Sequence, residues 1–268
     1  MKRAIALVVT AAFVTAVPVA QARPSALPKV SDYHALLISP VNPQVILLGT
    51  HNGVYRTDDG GKTWRASGLQ GQDAMNLVRV GKTVFLAGHN IFGASTDGGK
   101  SWRTWPPKGL PSLDVHGLAA DPRNGDLYAQ IAGTGLYRSS DGGQTFKLFS
   151  KQLNGGMMPL TITRTGSFVV GDMSRGIFVS KNGRRWLNTA RGMVMGVAAN
   201  PVNSKILAVG GGIIISTNGA NWKLANRSRV MFGAVAWSPS RANEAYAAAA
   251  DGSLWHSVTG GAHWSRVP

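Results

Sequence analysis

A short element recurs six times along this chain, and no other feature limits the fold as much. Its fullest copy runs Ser95-Thr96-Asp97-Gly98-Gly99-Lys100-Ser101-Trp102. Thr57 to Trp64 and Ser139 to Phe146 keep the same Asp-Gly-Gly centre, on Asp59 and Asp141. Ser180 to Trp186 and Ser216 to Trp222 are one residue shorter, with Asn182 and Asn218 in the aspartate's place. Ser257 to Trp264 carries Thr259 there. The closing aromatics Trp64, Trp102, Phe146, Trp186, Trp222 and Trp264 recur every 36 to 44 residues.

Each copy has one physical plan. An extended apolar run such as Gly53 to Thr57 leads into Asp or Asn followed by Gly, residues that tolerate positive φ in a tight hairpin. The Ser/Thr and Asp side chains can bond the turn's own backbone, and the aromatic packs beneath it. Two further strands lie upstream, as in His34 to Ser39 and Val45 to Thr50, joined by turns rich in Pro, Asn and Gly. Four short strands per repeat of about 40 residues make a propeller blade. The sequence therefore predicts an all-β propeller of six blades, each of four antiparallel strands. Seven blades are the alternative, but a seventh needs about 40 more residues that the chain does not offer. No sustained helical periodicity occurs beyond the first residues.

These repeats resemble the Asp-box (BNR) propellers. That group includes sialidases, sortilin-type receptors, photosystem II assembly factors and secreted bacterial glycosyl-hydrolase-like proteins. The last are nearest, through Thr50 to Arg56 and Asp114 to Leu118. The resemblance spans nearly all of the chain after its first residues. It implies the fold and a structural role for the box aspartates, but no single activity, because proteins sharing this fold differ in function.

The N-terminus reads as an export signal. Lys2 and Arg3 precede an apolar run from Ala4 to Val17, and Ala20-Gln21-Ala22 is a small-residue cleavage site. Residues 1–22 are thus expected to be a signal peptide, 23–33 a linker and 34–268 the propeller. The expected location is periplasmic or secreted. No other stretch approaches the roughly 18 apolar residues of a membrane span. With no cysteine, lipid attachment through a thiol and disulfides are both excluded. The net charge of +16 favours anionic partners in general. The basic residues are scattered, however, and form no nucleic-acid motif.

Blade topology sorts the candidate residues. With strands A to D running outward from the axis, the boxes are C–D turns and share a face with the A–B turns. Binding is expected on the opposite face, at the channel mouth. There the sequence places His34, Met75, His116, Met157, Met158, Met193, Met195 and Met231 near the starts of inner strands. His51 and His89 fall at B–C turns, with Met173 close to one. Asp32, Asp73 and Asp114 recur at intervals of 41 residues, each two residues before His34, Met75 and His116. Asp172 and Asp251 fall at B–C turns.

Thioether and imidazole donors together suit copper, Cu(I) above all. A copper site is therefore expected at His34, His51, His89, His116, Met75 and Met195. Asp32, Asp73, Asp114, Asp172, Met157, Met193 and Met231 complete a ligand-binding face. A bland reading stands beside it: Met fills gaps where blades converge.

Glycoside hydrolysis is the alternative, acting on an exported or extracellular glycan. Glycosidases generally need two carboxylates across the bond, and the single glutamate, Glu244, falls in an A–B turn on the other face. An aspartate pair such as Asp32 with Asp114 is what remains, and Trp105 and Phe232 are the aromatics available to a glycan. The expectation drawn is a monomeric, exported, non-catalytic binding or assembly propeller of the bacterial envelope, whose partner is an envelope protein, a glycan or a metal ion.

Overall fold

The computed structural model describes residues 26–152, 159–227 and 229–268. Among them are 24 strands and no helix. Blade 1 comprises β1 (Tyr33–Ile38), β2 (Ile46–Thr50), β3 (Gly53–Thr57) and β4 (Arg65–Ala66). Blade 2 comprises β5 (Asn76–Val80), β6 (Thr83–Gly88), β7 (Ile91–Ser95) and β8 (Arg103–Thr104). Blade 3 holds β9 (Val115–Ala120), β10 (Leu127–Ile131), β11 (Gly135–Ser139) and β12 (Lys147–Ser150). Blade 4 holds β13 (Leu160–Ile162), β14 (Phe168–Asp172), β15 (Gly176–Ser180) and β16 (Leu187–Ala190). In blade 5 they are β17 (Val194–Ala199), β18 (Ile206–Gly210), β19 (Ile213–Ser216) and β20 (Lys223–Asn226). Blade 6 ends the chain with β21 (Phe232–Trp237), β22 (Ala245–Ala249), β23 (Leu254–Ser257) and β24 (Ser265–Arg266).

Each blade is a sheet of four consecutive antiparallel strands. This is the six-bladed, all-β propeller that the repeat implies. The inner strands β1, β5, β9, β13, β17 and β21 contact one another in sequence, and β21 returns to β1, so the ring is closed.

The core lies between blades, and strand composition follows from that. The second strand of a blade is covered on both faces by its neighbours, so every residue of β2 (Ile-Leu-Leu-Gly-Thr), β10, β18 and β22 is buried. The short outermost strands β4, β8 and β24 are exposed. Blade 6 meets blade 1 through Leu36, Ile38, Ile46 and Leu48 against Ala234, Ala236, Tyr246 and Leu254.

The segment before β1 also serves closure. Ala26 forms a β-bridge with Ser253, and Leu27 N–H donates to Gly252 C=O at 2.8 Å. Leu27 itself is buried with Leu254 and Val267. Part of the stretch expected as a linker is therefore a clasp on the last blade. The expected signal peptide, residues 1–22, lies outside the described residues, as do Met157 and Met158.

The six boxes act as designed turns. Asp97 Oδ1 accepts from Ser95 Oγ, Lys100 N–H and Ser101 N–H at 2.8, 2.9 and 3.0 Å. Asp97 Oδ2 accepts from Ser101 Oγ at 2.6 Å. Asp59 and Asp141 repeat the arrangement. Asn182 and Asn218 accept from two backbone N–H groups each, and Thr259 Oγ1 takes His263 N–H at 2.8 Å. The aromatics do pack under the turns: Trp64 and Trp264 donate to Gly61 and Gly261 C=O, and Phe146 is buried. Trp102 instead reaches Ser67 C=O in blade 1 at 2.9 Å, tying two blades together. The second box glycine has a further reason to be glycine. Gly99 sits at φ +87°, and a Cβ there would run into Leu47 of the preceding blade.

Candidate functional site

Antiparallel order places the B–C turns and D–A connections on one face. Asn90 N–H donates to Leu113 C=O, joining the B–C turn of blade 2 to the segment entering blade 3. On the other face, box Gly60 N–H donates to Gln44 C=O of an A–B turn. The predicted division of the two faces is therefore correct.

The channel encloses a cavity of about 420 Å³. At the mouth it is lined by His34, Met75, His116, Met173 and Met195, and at the other end by Arg79, Pro201 and Trp237. Its walls between are mainly the apolar inner strands. Met75 is buried, whereas Met193 and Met231 are exposed at the rim.

Four histidines, His34, His51, His89 and His116, and three aspartates form one connected group on blades 1 to 3. Each Asp lies two residues before His34, Met75 or His116, where its blade's inner strand is entered, and the 41-residue period sets the carboxylates side by side. B–C turns then swing His51 and His89 over them. His51 Nδ1 lies 2.9 Å from Asp73 Oδ2, and His51 Nε2 lies 3.4 Å from Asp32 Oδ2. Its ring stands edge-on to His34, with centroids 4.2 Å apart. His34 Nε2 is 3.7 Å from Asp73 Oδ1. His89 Nδ1 lies 2.6 Å from Asp73 Oδ2, an ion-pair contact without hydrogen-bond alignment. On its other side, His89 Nε2 is 3.2 Å from Asp114 Oδ1 and 3.3 Å from His116 Nε2. His116 Nε2 is 2.8 Å from the same Asp114 oxygen.

Burial grades across this group. His34, Asp73 and His116 are nearly closed off, while His51, His89, Asp32 and Asp114 are open to solvent. Burial, reinforced by the neighbouring His51, pushes the His34 imidazole down to about 4. His34 is therefore a neutral base at physiological pH. Two compact sets result, His34 with His51 and Asp73, and His89 with Asp114 and His116, each with donor atoms within 4.8 Å of one another.

The other candidates divide. Asp172 is buried, but its carboxylate is engaged by its own B–C turn, accepting from Ser174 and Arg175. Met195 lines the channel on the far side from blade 2. Glu244 is buried on the opposite face and accepts from His256 Nε2 at 3.1 Å and Tyr246 OH at 3.5 Å. Neither aromatic considered for a glycan is free: Phe232 is fully buried, and Trp105 Nε1 donates to Gly143 C=O. The sequence places the aspartates and the histidines on one face but assigns only the histidines and methionines to the metal. The interleaving of aspartates with histidines needed the turn geometry, although the shared 41-residue period was its signal.

A family model described as photosynthesis system II assembly factor YCF48 matches residues 36–268. The chain belongs to the YCF48 family. A search of curated protein sequences returned no match. Among solved structures, YCF48 bound to a D1 peptide is 22% identical with a TM-score of 0.59, over 90% of this chain and 82% of that one. YCF48 from Cyanidioschyzon merolae is 20% identical with a TM-score of 0.55, over 92% and 88%. A GH74 xyloglucanase from Xanthomonas campestris reaches a TM-score of 0.63 at 18% identity, over 92% of this chain but 46% of its own. At such identities these likenesses show the propeller fold alone. Membership of the YCF48 family bears out the broad Asp-box propeller resemblance.

Proposed function

We infer that this protein is an exported, non-catalytic binding propeller of the bacterial envelope, which holds a segment of a partner protein at the channel mouth. The observation that carries this reading is the mouth itself. An apolar cavity of about 420 Å³ opens beside exposed Met193 and Met231. Unbranched, polarisable Met side chains adapt to varied peptide side chains. Family membership supports it, since a YCF48 has been solved with a D1 peptide. Export rests on the basic, apolar and Ala20-Gln21-Ala22 sequence at the N-terminus.

A photo-crosslinking amino acid placed at Met193 or Met231 in the native host tests this. The control position is Val41, 92% exposed in an A–B turn on the opposite face. One discrete protein adduct from the mouth positions and none from Val41 is expected. Equal labelling from both faces, or none from either, sinks the reading.

A further inference from the structure

At the mouth of blades 1 to 3, Asp32, Asp73 and Asp114 are partnered differently from the other carboxylates. Apart from the turn-clamping Asp59, Asp97 and Asp141, the others, Asp58, Asp121, Asp126, Asp172, Asp251 and Glu244, each pair with arginine. Among the described residues, the ion-pair partners of Asp32, Asp73 and Asp114 are histidines alone. In a chain of net charge +16, arginine was plentiful, so this choice of imidazole is a chemical selection. Imidazole paired with carboxylate is the donor set of divalent first-row transition ions.

The distances agree. In a tetrahedral site with bonds of about 2.0–2.1 Å, neighbouring ligand atoms stand roughly 3.3 Å apart. His89 Nε2, His116 Nε2 and Asp114 Oδ1 form a triangle with edges of 3.3, 3.2 and 2.8 Å. Hydrogen bonding can hold the two edges to Asp114 Oδ1, whereas the third edge sets two Nε2 atoms face to face, where they can share only one proton. In the second set, His34 Nε2 is buried with no hydrogen-bond partner, its side chain only 8% exposed. It faces Asp73 Oδ1 at 3.7 Å, beyond hydrogen-bond reach. His51 Nδ1 meets the other Asp73 oxygen at 2.9 Å. Asp73 also abuts His89 Nδ1, so one carboxylate serves both sets, and carboxylates in that outer position orient metal-bound imidazoles.

We propose that the mouth of blades 1 to 3 is a paired site for divalent transition ions, Zn²⁺ or Cu²⁺, with one ion held by His34, His51 and Asp73 and the other by His89, His116 and Asp114. Asp32, 3.4 Å from His51 Nε2, is the open flank of the first position. This shifts the copper expected from sequence. The gathered donors are nitrogen and oxygen, which suit the divalent ions, while thioether-rich sites select Cu(I). The site is independent of peptide capture, because its residues lie on blades 1 to 3 and the exposed rim methionines on the segments entering blades 5 and 6.

The test is calorimetric titration of Zn²⁺ and of Cu²⁺ into the protein, purified without a His tag and stripped with chelator, with metal content read by mass spectrometry. Two ions per chain are expected. His51→Ala and His89→Ala should each retain one, and Asp73→Asn should weaken both by at least tenfold. His263→Ala, on the box turn of blade 6, should retain two. Circular dichroism and thermal unfolding establish folding of each variant. Should Asp73→Asn not fold, the two variants at solvent-open histidines decide the matter. Binding no stronger than in the His51→Ala/His89→Ala double variant overturns the site. A single ion lost from both single variants overturns the paired arrangement. Binding of Cu(I) alone, unaffected by Asp73→Asn, overturns the donor assignment.

Discussion

His89 and His116 meet nitrogen to nitrogen, Nε2 to Nε2 at 3.3 Å, from the B–C turn of blade 2 and the inner strand of blade 3. Groups in such contact do not contribute independently to stability. A double-mutant cycle of His89→Ala and His116→Ala, read by urea unfolding without metal, should therefore depart from additivity by about 0.5 kcal/mol or more. Additive losses would show the contact to be energetically empty.

The box aspartates are predicted to act as turn clamps that asparagine can replace. Asp97→Ala strands Lys100 and Ser101 N–H and two hydroxyl donors, and should cost about 1 kcal/mol, modest because the site is exposed. Asp97→Asn should cost less, because Asn182 and Asn218 already do this work in blades 4 and 5. Chemical denaturation midpoints of the two variants give the comparison.

Acid should weaken the fold through these turns. Hydrogen bonds from Thr57, Thr63, Ser95 and Ser101 outweigh the opposing desolvation and hold Asp59 and Asp97 well below the usual carboxylate range. A depressed folded-state pKa contributes stability above the unfolded value of about 3.9, and that contribution is lost as pH falls through the folded value. Thermal unfolding between pH 5 and 2, as approximate limits, should show a steep decline in the parent. The Asp59→Asn/Asp97→Asn variant should be less stable at neutral pH but decline less steeply.

Gly99→Ala should be far more damaging than Gly71→Ala. Both glycines have positive φ, but a Cβ at Gly71 meets open space while one at Gly99 collides with Leu47. Backbone strain alone accounts for roughly 1–2 kcal/mol at Gly71. Overpacking adds about 1–3 kcal/mol more at Gly99. Equal losses in urea unfolding would count against the blade-to-blade contact.

The clasp before β1 is predicted to matter for ring closure. Leu27→Ala removes a buried side chain between Leu254 and Val267 and should cost about 2–4 kcal/mol. Hydrogen exchange should quicken first in blades 1 and 6, and uniform quickening around the ring would argue against a local clasp.

Much of this architecture was legible from residue types alone. Asp-Gly-Gly and Asn-Gly turns declare hairpins because few residues tolerate their backbone, and their spacing declares the blade. The clasp was less legible, since Ala26 and Leu27 carry no turn or period signal and acquire a role only where the chain's last blade comes round. The burial of Phe232 and the Trp105 bond to Gly143 were likewise hidden, because both depend on the neighbouring blade.

The sequence by itself determined the repeat, the blade count, the structural duty of Asp59, Asp97 and Asp141, and the face on which His34, His51, His89 and His116 fall. Those follow from local turn chemistry and from strict alternation of strand direction, which a linear pattern records. Only the tertiary structure decided that Asp73 stands between His51 and His89, that Asp172 spends its carboxylate on its own turn, and that no arginine among the described residues pairs with Asp32 or Asp114. Such distances are set by how three twisted sheets lean together at the axis. That lean depends on the whole inter-blade core, and no single segment encodes it.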